Sequence, residues 1–292
     1  MTTRRELLLT TAALLAAPKP PFRYSICNEV FEKQEFAAAC GAARRMGYTG
    51  LEIAPFTLAD DIDDISLARR KELRDILRSE GLTFAGMHWL LVTPKWLHIT
   101  TGDKSVRERS WEYFGKLVDF CGDLGGAVMV LGSPKQRGTQ GASREDATKH
   151  LAEGLARLAP RAAARHATIS LEALDHTQTD VVNTLAEAVA VVKQVKQPSI
   201  QTMFDFHNIP DETEPPEVLV RRYRPMIRHV HINEMDGRHP GTGHFDFLPV
   251  LRVLKETKYT GWVSLEVFDF SLGAERIGGE AMAYMRKLEA QI

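Results

Sequence analysis

Cysteine is scarce. Cys27, Cys40 and Cys121 are the only three in 292 residues. They form no CxxC pair and cannot all bridge one another, which argues against a disulfide framework. Each lies in an apolar stretch and is expected as a buried free thiol. Surplus charge of either sign is also missing, with 37 Lys+Arg against 38 Asp+Glu and a formal net charge of −1. A nucleic-acid partner held by bulk electrostatics is therefore not expected. No glycine-rich phosphate turn follows the first apolar run, where the chain reads Cys27-Asn28-Glu29-Val30-Phe31. That argues against a doubly wound dinucleotide-binding sheet. No Pro/Gly/Ser linker, composition break or short-period repeat divides the chain. What remains is ordinary globular composition, 44% hydrophobic and 26% charged, with length for a large core.

Residues 1–21 read differently from the rest. Arg4-Arg5 precede an apolar run from Leu7 to Ala17, closed by Pro18, Pro20 and Pro21. A basic start, a short apolar segment and small residues at its end make an export-signal pattern, and the arginine pair points to the twin-arginine class. The run is too short to span a bilayer as a mature helix. An amphipathic N-terminal helix is the alternative, but Leu7–Leu15 offers threonines in place of a polar face. The expectation is an exported, periplasmic protein with no stable membrane insertion after processing.

From Arg23 onward, apolar runs alternate with helical patterns. Runs begin near Tyr24, Gly50, Thr83, Ala127, Thr168, Ile200, Ile227 and Trp262. They are continuous rather than alternating, as parallel strands buried on both faces require. Between them, helical periodicity is expected over Glu35–Met46, Leu67–Glu80, Ser105–Leu124, Arg144–His166 and Thr179–Val195, with shorter segments near Glu217–Tyr223, Phe247–Thr257 and Ala274–Ala290. Gly47, Gly81, Gly125 and Gly261 read as helix stops. Eight βα units in about 270 residues predict one (β/α)₈ TIM barrel over residues 22–292.

In such a barrel, reactive groups gather where strands end at the C-terminal face. Glu172, Asp205, His231 and Glu266 stand at the ends of the fifth to eighth predicted strands. Carboxylates flanked by apolar residues are costly to bury as bare charges. One shared divalent cation removes that cost. Three carboxylates and one imidazole form a hard set suited to Mn²⁺, Mg²⁺ or Co²⁺.

These four residues are separated by 33, 26 and 35 positions, in the contexts SLEA, FDFH, HVH and SLEV. With those spacings the chain resembles the xylose-isomerase-like barrel superfamily of sugar isomerases and epimerases. The branch of the D-tagatose and D-psicose 3-epimerases is the most similar. The resemblance implies one divalent metal, commonly Mn²⁺, held by Glu172, Asp205, His231 and Glu266. It also makes Glu172 and Glu266 the proton-handling pair, acting through an enediolate on a carbohydrate substrate. Arg238, in Arg238-His239-Pro240-Gly241-Thr242-Gly243, resembles the family's substrate-binding loop arginine. His207 lies two positions after Asp205, where the family's sugar-binding His usually lies three after. Gln178 stands where the family's epimerases carry a second substrate-contacting Glu, so a 3-keto-glycoside is as fitting a substrate as a free ketose.

His88 and Trp89, ending the third strand, and Glu52, ending the second, are expected to face the mouth as substrate contacts. Lys135 and Arg137 follow the fourth strand, where they would either hold an anion or simply face solvent. Competing readings are a carbon–oxygen lyase on 3-keto-glycosides using the same metal, a non-catalytic sugar-binding barrel, and an apurinic-site nuclease. The last is disfavoured by the neutral charge balance. A homo-oligomer is compatible with all of them.

Overall fold

The computed structural model describes residues 21–32 and 34–292; the export-signal expectation lies outside them except for Pro21. Eight parallel strands close into a barrel in chain order. They are β1 Arg23–Cys27, β2 Gly50–Ile53, β3 Thr83–Met87, β4 Val128–Leu131, β5 Thr168–Leu171, β6 Ile200–Asp205, β7 Ile227–Ile232 and β8 Trp262–Leu265. Each begins within one residue of its expected apolar run. Closure is made by β1 against β8, with Arg23 beside Trp262 and Ile26 beside Leu265. The TIM barrel expected from the sequence is the fold.

The outer layer is α1 Phe36–Arg45, α2 Leu67–Ser79, α3 Lys104–Asp123, α4 Arg144–Ala164, α5 Leu185–Val195, α6 Pro216–Tyr223, α7 Leu248–Glu256 and α8 Ala274–Glu289. Their starts are chemically marked. The side chains of Ser66, Asp103, Ser143 and Thr184 each accept a first-turn backbone N–H of α2, α3, α4 and α5, which satisfies donors the helix itself cannot. Gly47 and Gly81 take positive φ just past α1 and α2, as helix stops do. Gly261 works differently. A Cβ there would lie 2.3 Å from the Tyr259 hydroxyl oxygen and 2.7 Å from the Arg228 carbonyl, so close approach of a ring and of backbone is what requires glycine at that position.

Strand alternation separates two packed regions. Ile26, Leu51, Val230 and Leu265 belong to the hydrophobic core. Ser25, Cys27, Glu52, His229 and Ser264 are also buried but polar. Cys27 Sγ lies 3.7 Å from Glu52 and 3.6 Å from Ser264 Oγ, so these groups form a polar floor inside the barrel. All three cysteines are buried and free, as expected.

One helix boundary departs from the sequence reading. Helical periodicity predicts a helix from Thr179, but α5 begins at Leu185. Asp175 accepts from the backbone N–H of Thr177, and Asn183 Nδ2 donates to the carbonyls of Leu174 and Thr179 at 2.9 and 2.8 Å. These bonds fold 175–184 into a tight loop over the barrel mouth, and that loop carries Gln178.

A candidate metal and proton-transfer centre

Strand ends bring Glu172, Asp205, His231 and Glu266 together. One ligand atom from each lies within 4.8 Å of the other three, and all four residues are buried. Asp205 closes β6, His231 is the penultimate residue of β7, and Glu172 and Glu266 immediately follow β5 and β8. Gly132, after β4, makes room for them, since a Cβ there would stand 2.2 Å from Glu172 Oε2.

The electrostatics of this cluster are those of a site built around positive charge. Burial pushes the Glu172 carboxyl well above its usual range, and Asp205 and Glu266 push it the same way. Asp205 is raised by burial and by Glu266. For Glu266 burial acts upward as well, but His231 and His88 outweigh it and hold the group down. His231 is raised well above normal because Glu266 and Glu52 overcome the effect of its burial. A nearby cation would reverse the Glu172 and Asp205 shifts.

Orientation of the His231 ring gives a sharper test of fit. Its Nε2 faces Glu52 Oε1 at 3.2 Å, while Nδ1 faces Glu266 Oε2 at 2.9 Å. If Nε2–H donates to Glu52, Nδ1 is a bare lone pair directed at a carboxylate oxygen. Without a cation the ring is held there by a second proton on Nδ1, as its raised pKa allows, and a divalent ion bound to the cluster would take that proton's place. The same arrangement, ligand nitrogen inward and N–H outward to a carboxylate, is how metal-binding histidines are held. The donor set fits a hard divalent ion.

Glu52 therefore corrects a sequence expectation. It is fully buried beneath the mouth and takes His229 Nε2 at 2.8 Å together with His231. Burial alone would raise it, but the two imidazoles hold it well below the usual carboxylate range. It orients His231 and is not a substrate contact.

The cleft above the cluster is lined by His88, Trp89, Gly132, Gln178, Asn208 and Phe268 together with Glu172, Asp205 and Glu266. Its free space is about 20 Å³, room for a metal ion or a single water, so the bulk of any sugar whose reacting carbon meets the cluster must lie above it. His88 sits at the wall as expected, its Nε2 2.8 Å from Glu29 Oε1 and 3.9 Å from Glu266. Trp89 has φ of +50° and Ser133, on the adjacent loop after β4, +46°. Left-handed backbone at two lining residues is strain of the kind that collects at functional sites.

Gln178 also reaches the cleft. Its Nε2 donates to Asp175 and to Asn208 Oδ1, and Asn208 Nδ2 donates to Glu172 Oε1 and Asp205 Oδ2, each at 3.0 Å. A glutamate at 178 would lack those donors and would face Asp175 with like charge. The missing negative charge is thus matched to its neighbours. Asn208 is a residue the sequence reading passed over. Its signal was its position three after Asp205, the slot the family resemblance gives to a histidine.

Two expectations fail in placement. His207 does not line the cleft. The strand ends at Asp205, whose carboxylate accepts the His207 N–H at 2.8 Å, so alternation no longer applies and the ring packs on Phe268 at 5.0 Å. Arg238 is exposed and pairs with Asp236 at 2.7 Å because its short loop turns it outward. The loop after β4 splits its two cations. Lys135 is exposed, whereas Arg137 is fully buried, its Nε donating to the Gly132 carbonyl at 2.8 Å. Burial lowers Arg137 to about 10, with Glu172 opposing that shift. It is a counter-charge behind the cluster, which neither sequence alternative foresaw.

A (β/α)₈ barrel with a carboxylate–histidine cluster at its C-terminal mouth defines a broad class of enzymes. The particular family follows from comparison. The model of the xylose isomerase-like TIM barrel family matches residues 40–288, and the chain belongs to that family. It is 27% identical over 237 residues to an L-ribulose 3-epimerase of Methylomonas sp. (strain DH-1), covering 79% of this chain and 77% of that protein. It is 23% identical over 272 residues to a 3-dehydro-D-guloside 4-epimerase of Escherichia coli (strain K12), covering 89% and 95%. Among solved structures, a D-psicose 3-epimerase determined in the presence of D-fructose superposes with a TM-score of 0.81 at 20% identity, over 92% of this chain and 99% of that one.

Proposed function

We propose that the chain is a divalent-metal-dependent sugar epimerase that inverts a carbon beside a carbonyl, on a keto-sugar or a 3-keto-glycoside. The observation that carries this reading is the buried set Glu172, Asp205, His231 and Glu266 at four consecutive strand ends. Relatives that epimerise ketoses and a keto-glycoside support the sugar class. A cation held by this set, Mn²⁺ or the similarly hard Mg²⁺ or Co²⁺, would polarise the substrate carbonyl and stabilise the enediolate charge.

The chain's own groups do the rest. Glu172 and Glu266 are the proton carriers, one removing the proton from the carbon and the other returning one to the opposite face. They are held differently, Glu172 by the Asn208 amide and Glu266 by His231 and His88. Gln178 lines the same mouth, where its Oε1 can accept from a sugar hydroxyl, while Asn208 braces it and the two carboxylates. Trp89 and Phe268 limit water access from above.

The test is deuterium exchange at a defined carbon in D₂O, measured alongside product formation on keto-sugars and 3-keto-glycosides. Exchange with a new diastereomer is expected. Loss of the aglycone without a new diastereomer would mark a lyase instead, and no exchange would leave a binding protein. Asp205→Asn is expected to keep the fold while sharply reducing metal content by elemental analysis. For location, we propose twin-arginine export to the periplasm, motivated by Arg4-Arg5 and the apolar run behind them. Replacing both arginines by lysine should leave the protein in the cytoplasm, and unchanged fractionation would refute the route.

A further inference from the structure

At the end of the barrel opposite the mouth, where strands begin and helices finish, cations gather on one sector. Arg23 opens β1, Arg228 is second in β7, Arg224 directly follows α6, and Lys196 and Lys258 lie just past α5 and α7. Among the described residues none of the five has an ion-pair partner. The acids in the last turns of α7 and α8 are engaged elsewhere, Glu256 with Arg221 at 2.5 Å and Glu289 with Arg286 at 2.6 Å. Basic residues in a last helical turn complement the negative end of the helix dipole, but Arg23 and Arg228 lie on strands. Lys196 and Lys258 have φ of +54° and +52°, the left-handed conformation that glycine adopts at less cost. Cations thus stand where the backbone alone favours glycine.

Two of the arginines are fixed in place. Arg23 Cζ lies 3.7 Å from the centroid of the Trp262 ring and Arg224 Cζ 4.6 Å from that of Tyr259, and both rings are buried. Register sets Arg228 beside them. His229 pairs with Trp262 and Trp262 with Arg23, so Arg228 and Arg23 flank the start of β8, roughly 10 Å apart at the usual strand spacing. Burial raises the Tyr259 hydroxyl, and Arg224, Arg228 and Arg23 all act to lower it, which places the three around one ring. A guanidinium laid flat on a ring keeps its N–H edge free and loses little freedom on meeting a phosphate.

We propose that this face docks on an anionic lipid surface, its arginines and lysines meeting headgroup phosphates. The path of the chain favours a bilayer over a soluble anion. Leu7–Ala17 is apolar and Arg23 follows Ala17 by six positions, a reach of at most about 21 Å. Contact of that run with lipid brings the five cations to the headgroups. The mouth, with Glu172 and Glu266, is at the other end of the barrel and stays open to substrate. The inference is independent of the epimerase reading, and from the export proposal it takes only that Leu7–Ala17 meets a bilayer.

The experiment sediments the full chain with vesicles of phosphatidylcholine alone or mixed equally with phosphatidylglycerol. Binding should be at least roughly tenfold stronger to the mixed vesicles and should weaken as salt rises. Combining Lys196→Gln, Arg228→Gln and Lys258→Gln, all at exposed positions, should cut that preference roughly fivefold per charge removed. Arg23→Gln, in a separate variant, should also lower it. Lys95→Gln with Lys104→Gln and Lys135→Gln removes equal charge at the mouth end and should leave the preference intact. Equal binding to both kinds of vesicle would overturn the proposal, because the apolar run alone would then account for it. A preference undiminished in the first triple variant would also overturn it, assigning the effect to Arg4 and Arg5. Equal loss in the mouth-end variant would reduce the effect to net charge and do the same. If inorganic phosphate raises the Tm of the wild type but not of the first triple variant, without any vesicle preference, the sector is a free-anion site and docking is refuted. Exchange in D₂O, measured on the same variants, should stay at the wild-type level, so that failure of docking and failure of the epimerase reading are told apart.

Discussion

Glu52 and Gln178 show how much of this site is decided by groups set back from the substrate. Glu52 accepts from two imidazoles at once, one on each carboxylate oxygen, and a side-chain amide in the same place would offer an acceptor to one of them only. Glu52→Gln keeps the volume but turns one acceptor into a donor facing an imidazole N–H. His231 would then move its proton to Nδ1, the nitrogen that faces the cluster. Metal affinity should fall by roughly 10–100-fold, as losses behind a ligand histidine generally do. Titration calorimetry with Mn²⁺, beside an unchanged circular dichroism spectrum, checks this, and undiminished affinity would separate Glu52 from the ligand's orientation. Gln178→Glu is the complementary case, adding a charge beside Asp175 and removing the donor to Asn208. A loss of about 1–3 kcal/mol in urea unfolding is expected for a broken, half-buried polar network. A stability equal to wild type would mean that the amide is not needed as a donor.

At the level of elements, strands were legible and loops were not. Continuous apolar runs predict all eight strands because a strand buried on both faces leaves no polar alternative. Four ligands could be placed for the same reason, since each sits within one residue of a strand end. Beyond those ends the period-2 rule loses its basis, and side-chain direction is set by turn bonds. His207, Arg238 and the start of α5 depart from expectation there, while Asn208 enters the site by a turn that no periodicity encodes. Glu52 misled for another reason, because pointing inward in a barrel does not distinguish the mouth from the floor beneath it. The β4 loop makes a prediction at this scale. Gly132→Ala would put a methyl group on Glu172 Oε2, displacing the carboxylate without touching the strand. Exchange activity should drop about 100-fold, the usual cost of misplacing a catalytic group by an ångström, while thermal unfolding stays cooperative. Retained activity would show that Glu172 has slack in its position.

For the molecule as a whole, the cluster makes stability depend on pH in a direction that metal should reverse. Without a cation, Glu172 and Asp205 are raised above ordinary carboxylate values, so between the unfolded and folded pKa the native state holds the extra protons. Stability then falls as pH rises through that window. His231, also raised, has the same sign, and its contribution is lost as pH rises above the normal histidine range. Glu52 and Glu266 are lowered, and their contribution disappears only when pH falls through the low carboxylate range. Buried His98 is pushed down to about 4 by burial. It therefore favours folding more as pH rises from about 4 to about 6.5, equally with and without metal, and cancels from a difference between the two forms. Metal binding requires deprotonated ligands and strengthens with pH. The gap in Tm between Mn²⁺-loaded and metal-free protein should thus widen from about pH 5 to about pH 8, reaching roughly 5 °C or more at a hundredfold excess over Kd. Differential scanning fluorimetry across that range, with chelator-treated protein as reference, measures it. A gap that stays constant would mean that these carboxylates and His231 do not share a cation, and the cluster would then need another source of positive charge.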